Sequence, residues 1–123
     1  MTAGEVIAAV DALRPNQYGA AQKLRWLQRL DGQILGELER RHEPPAGGLT
    51  EAAEPYTEDT VLRVGAPYDE ELYTAYLFSQ IDLHNGEITR YNQSLGLLAA
   101  AWRQMADALN RARRPVGTGR FAL

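Results

Sequence analysis

His84 and Glu87, with Asp82 close by, are the local cluster in this chain whose residue types could hold a metal ion. On a helix, i,i+3 spacing puts His84 and Glu87 on one face, while Asp82 points elsewhere. The favoured reading is a histidine packed in an apolar stripe with solvated neighbours. A small helical metal-dependent enzyme using His84 and Glu87 is the minor alternative. The second histidine, His42, lies in a different element. With no cysteine, the chain has no disulfide frame, thiolate metal site or cysteine nucleophile. It also lacks G-x-S-x-G, P-loop, dinucleotide-fingerprint and H-E-x-x-H runs. Enzymes need convergent reactive groups. The expectation is therefore no catalytic residues, no cofactor and no metal.

Two further groups of side chains suit contact rather than catalysis. Tyr73 and Tyr76 lie one helical turn apart, and each hydroxyl needs a partner. They belong either to a core packed on the first two helices or to a subunit interface, where tyrosine is enriched. Arg111, Arg113, Arg114 and Arg120, with Phe121, form a basic end with one aromatic. That cluster is too small for sequence-specific nucleic-acid readout. Charge is segregated along the chain: +2 over residues 1–30, −10 over 31–87 and +5 over 88–123. Opposite ends of this kind suit head-to-tail contacts between copies, so the basic end is expected to dock on an acidic surface of a neighbour or partner.

The elements that must position these groups read as all-α. Thr2 and Glu5 have capping-box spacing, which predicts a short helix with Val6, Ile7, Val10 and Leu13 on its apolar face. Pro15 ends it. A second helix runs from Gly19 or Ala20 to about Arg41, burying Leu24, Leu27, Ile34 and Leu38, with Trp26 flanking. Residues 43–59, rich in Pro, Gly and Glu, read as an irregular, mobile acidic loop. Thr60–Val64 reads as one short extended piece with Leu62 and Val64 on one side, either paired with a neighbouring copy or laid along the helices. Asp69 is a fair N-cap for a third helical stretch.

From Leu77 onward, large side chains recur at 81, 84, 88, 91, 95, 98, 102, 105 and 109, in alternating steps of four and three. That is a heptad stripe. It predicts one long helix over about 69–112, kinked at Gly86, with Leu77, Ile81, Ile88, Leu95, Leu98 and Trp102 buried. The competing reading is two helices broken at Asn85–Gly86. At 1.5 Å per residue the single helix would be about 65 Å long. A 123-residue chain is one domain, with a radius of gyration of about 14 Å. Such a body cannot enclose that helix, which points to an assembly. Residues 1–114 are expected to form the helical domain and 115–123 a flexible tail. No apolar run of about 18 residues is present, and the start lacks the basic residues of a signal peptide, so a soluble, non-secreted protein is expected.

The runs VDALRPNQYGAAQKLRWLQRLDGQI, DTVLRVGAPYDEELY and QIDLHNGEITRYNQSL carry a resemblance. They are similar to small proteins encoded among the capsid and portal genes of tailed bacteriophages and prophages, which look like helical head–tail connector (adaptor) proteins. The resemblance covers roughly residues 5–110, and NGEITRYN is its most specific part. It implies a non-enzymatic ring subunit, a dodecamer matching the portal, located at the head–tail junction of the virion and in the host cytoplasm during assembly. Its implied partners are copies of itself, the portal protein and a tail-side completion protein. Another virion assembly protein, such as a tail-completion factor or assembly chaperone, is the alternative within the same source. No catalytic residue carries over.

Overall fold

The computed structural model describes residues 1–41 and 54–112. Four helices make an all-α fold: α1 (Ala3–Leu13), α2 (Ala20–Arg41), α3 (Asp69–Asn85) and α4 (Ile88–Ala112). The capping box at the start of α1 is present in full. The Glu5 amide donates to Thr2 Oγ1 at 3.2 Å, and the Thr2 amide donates to Glu5 Oε1 at 2.8 Å. Ala3, Val6, Ile7 and Val10 form the buried face, whereas Leu13 is 74% exposed. The next residue, Arg14, turns inward instead and places its guanidinium 4.4 Å from the centre of the Phe78 ring. Trp26, expected at the flank of α2, is buried along with Leu27, Leu30 and Ile34.

Part of the expected acidic loop is fastened. Residues 42–53 lie outside the described residues, but Tyr56 is buried, and its amide donates to Gln28 Oε1 at 3.1 Å. The extended piece after it needs no second copy, because it pairs with the chain's own start. The Ala3 and Gly4 amides donate to the Thr60 and Glu58 carbonyls, each at 2.8 Å, and the Leu62 amide donates to the Met1 carbonyl at 3.0 Å. The first amides of a helix have no partner inside it, and this strap supplies acceptors for two of them. Leu62 and Val64 face inward and Val61 outward, as their alternation predicts. Asp69 sits one place later than expected, inside the first turn of α3 with Tyr68 as N-cap. Its carboxylate accepts from the Met1 amino group at 3.0 Å.

Helix flanks Gly86 on both sides, but the expected kink is a full reversal. Gly86 adopts φ 75°, a left-handed conformation that costs a glycine little. The Gly86 and Glu87 amides donate back to the Leu83 and Asp82 carbonyls at 3.1 and 3.0 Å, which closes the end of α3. Ser94 Oγ then donates to Asp82 Oδ2 at 2.8 Å. In a continuous helix those residues would stand about 18 Å apart. α3 and α4 therefore form an antiparallel hairpin, and no 65 Å rod exists.

The heptad stripe survives the turn, yet of its large members on α4 Met105 alone is fully buried. The inward face of α4 is Ser94, Ala101 and Met105, the small residues among them letting α4 close on α3. Leu95 and Trp102 sit about 100° further round, each one residue after a member of that face. Leu77 and Ile81 are buried as expected, Leu98 and Trp102 are half-buried, and Ile88 and Leu95 are exposed at 63% and 37%. A core-sized penalty for Leu95→Ala therefore does not apply.

Candidate assembly surface and the polar pins behind it

Four charged or polar pins hold the helices before any surface is presented. At the first, Asp31 lies within the apolar face of α2 and is fully buried. Tyr73 donates to its Oδ1 at 2.5 Å and Tyr56 to its Oδ2 at 2.6 Å, while the Arg63 amide donates to Oδ2 at 3.2 Å. The Tyr73 oxygen also accepts from the Val64 amide at 3.0 Å. One carboxylate thus joins α2, α3 and the strap. At the second, Asp82 is fully buried, and Arg14 Nη1 donates to both of its oxygens at 2.6 Å. With the Ser94 hydroxyl, this joins the end of α1 to both arms of the hairpin. The third pairs Lys23, nearly buried, with Asp11 at 2.7 Å. The fourth is the Met1–Asp69 pair already described.

These pins reassign several residues singled out in the sequence. Tyr73 is not a surface contact, because its ring is buried and its hydroxyl is held at both ends by Asp31 and Val64. Tyr76 is also buried and floors a groove between α2 and α4. Arg111 is exposed near the end of α4, while Arg113, Arg114, Arg120 and Phe121 lie outside the described residues. The Asp82, His84 and Glu87 cluster does not converge. Asp82 faces inward, His84 leans on Trp26 with ring centres 5.0 Å apart, and Glu87 lies 3.7 Å from Arg90. Among the described residues no group of three or more metal-type ligands occurs, and no helix is long and apolar enough to cross a membrane. Sequence reasoning missed Asp31 and took Asp82 for a solvated neighbour of His84, whereas Asp82 is fully buried against Arg14. An acid in register with Leu27 and Ile34 was the available signal for Asp31.

The tyrosine pin gives a measurable pH dependence. Burial first, then the hydrogen bond and charge of Asp31, push the Tyr56 hydroxyl above the usual phenol range. Tyr73 is pushed up as well, burial leading and the charge of Asp31 next. A raised folded pKa means the folded chain keeps a proton that the unfolded chain loses. That stability is complete below an unfolded pKa of about 10 and is lost as pH rises toward the folded value. Tyr73 alone should give a slope of about −1.4 kcal/mol per pH unit above pH 10. Urea unfolding followed through that range should show it, with a shallower slope in Tyr73→Phe. Equal slopes would remove Tyr73 from the account.

Three of the six exposed large apolar residues among the described ones lie on segments that meet at the hairpin end. Arg14 on Asp82 and the Tyr18 hydroxyl on Asn85 Oδ1, at 2.7 Å, bring the α1–α2 turn to the tip of the α3–α4 hairpin. Leu13, Leu83 and Ile88, exposed at 74%, 44% and 63%, belong to the segments that meet there. Residues 85–90 are all exposed. No protein-family model, curated protein or solved structure matches the chain.

Proposed function

We propose that this chain is a structural subunit of a phage head–tail connector ring, joining the portal to the tail. The observation that carries the reading is the place of the run NGEITRYN. Its residues 85–92 begin at the hairpin turn, where the polar backbone needs are met internally and Leu83, Ile88 and Leu13 stand uncovered. Single exposed apolar residues are ordinary on a monomer. Three on segments tied to one end form a surface for a neighbouring copy. Ring closure uses such a surface heterologously, against a different face of the next subunit. The chain's acidic middle and basic end supply the opposite charges for that arrangement. Another virion assembly role is the second reading, favoured by the same resemblance.

Leu83→Glu with Ile88→Glu tests this surface. Both side chains are exposed, so the substitutions should leave folding within about 0.5 kcal/mol of the parent. The variant should lose co-sedimentation with phage portal rings by at least about tenfold relative to the unaltered chain, the effect of about 1.4 kcal/mol. Undiminished sedimentation of a folded variant would take the hairpin end out of the assembly.

A further inference from the structure

Among the described residues, α2 and α4 do not come into backbone contact. The space between them is an apolar groove of about 570 Å³, walled by Ile34 on one side and Leu98 and Trp102 on the other, with Tyr76 at its floor. On α4 this groove opens a second seam beside the face that packs on α3. Leu95, Ala99, Trp102, Ala106 and Leu109 all line it. Their spacing alternates four and three, and at 100° per residue they fall within an arc of about 80°. The buried face, Ser94, Ala101 and Met105, lies on the other side of Trp102, about 60–100° round. Leu95 and Ala99 are exposed, and Trp102, Ala106 and Leu109 are half-buried.

We propose that this seam packs antiparallel on the same seam of a second copy, making the free chain a two-fold dimer through α4. Two independent observations select that occupant. The first is side-chain size. The seam alternates large and small as Leu, Ala, Trp, Ala, Leu. An antiparallel pair centred at residue 104 sets Trp102 opposite Ala106 of the second copy and Leu109 opposite Ala99, so each bulky knob meets a small hole. The two-fold then repeats each contact in reverse. A parallel pair in register would instead stack Trp102 on Trp102. The second is charge. Arg103 and Asp107 are exposed on one flank, about 100° and 140° round from Trp102. An antiparallel two-fold brings like flanks together. Arg103 then comes within about two residues, about 3 Å along the axis, of the level of Asp107 of the second copy. A parallel pair joins opposite flanks and parts these charges.

The face has the size of a reversible dimer contact. It runs along α4 from Leu95 to Asn110, about 22 Å at 1.5 Å per residue, and is two helices wide, about 20 Å. Two copies together would cover about 900 Å² of flat area, close to the threshold of about 1,000 Å² for a specific interface. The inference does not rest on the connector reading. The groove lies along the C-terminal part of α4, away from the hairpin end, and self-pairing of the free chain needs no portal.

Arg103→Glu and Asp107→Arg, both at exposed positions, test the arrangement in the full chain. In sedimentation equilibrium the unaltered chain should rise with concentration from 13.7 kDa to twice that mass. Either variant alone sets like charges against each other on both sides of the two-fold, and should weaken the dimer at least about tenfold. An equimolar mixture of the two variants has opposite charges at both contacts and should recover the dimer. The Leu83→Glu, Ile88→Glu variant should dimerise as the unaltered chain does. An unaltered chain that stays at 13.7 kDa at every concentration, variants that dimerise undiminished, a mixture no better than its components, or a dimer lost with the hairpin-end substitutions would each overturn the proposal.

Discussion

Arg14→Ala should lower the unfolding free energy by about 3–5 kcal/mol, the cost of leaving a buried charge without its partner. The direction of the substitution matters. Asp82 is completely buried, while the Arg14 side chain is 29% exposed. Removing the arginine leaves the carboxylate in the interior with the Ser94 hydroxyl and little else. Removing the acid leaves an arginine that can swing toward water. Asp82→Ala should therefore cost less than Arg14→Ala, although both lose the same contact. Arg14 also lies over the Phe78 ring, so its loss uncovers part of that ring as well. Against a total stability of about 5–15 kcal/mol, the variant should be largely unfolded in mild urea. Denaturant midpoints of the two single variants check the ranking, and a larger loss for Asp82→Ala would show that the pair does not act as described.

Asp31→Ala should cost about as much, by a different route. It takes away the acceptor shared by the Tyr56 and Tyr73 hydroxyls. Each buried donor left without a partner costs about 1–3 kcal/mol, and the tyrosine rings are too well packed to turn both hydroxyls to solvent. The damage should also be local before it is global. The strap over residues 54–64 is held to α2 through Asp31 and Gln28, so amide exchange at Tyr56 and Val64 should rise most. Tyr73→Phe is the milder comparison, since Asp31 keeps its other donors. Unchanged exchange in the strap of a folded Asp31→Ala chain would show that the carboxylate does not hold it.

Much of the architecture was legible. Thr2 and Glu5 announced the start of α1, Pro15 its end, and the alternation at Leu62 and Val64 the inward face of the strap. The hairpin was harder because its evidence pointed two ways. Asn85–Gly86 is a stop signal, but the heptad stripe keeps phase across it. Phase alone does not distinguish a continuous helix from two that pack against each other. The deciding residues were small ones, Ser94 and Ala101, which a search for large side chains passes over. They set the rotation of α4 and so left Ile88 and Leu95 exposed.

The site was less legible for a related reason. Tyr73 and Tyr76 are of a type enriched both at interfaces and in cores, and the choice depended on Asp31, forty-two residues before Tyr73 in the chain. Charge is segregated along the sequence, but that does not say which uncovered side chains share an end. That depends on Arg14 and Tyr18 binding Asp82 and Asn85, contacts that span nearly seventy residues of sequence.

The connector reading is tested most directly by imaging. Under that reading, phage portal rings incubated with the full chain and examined by electron microscopy should gain an annular layer on one face with the portal's own symmetry. The Leu83→Glu, Ile88→Glu variant, folded, should leave the rings bare. Portal rings that remain bare with the unaltered chain at saturating concentration would contradict the reading.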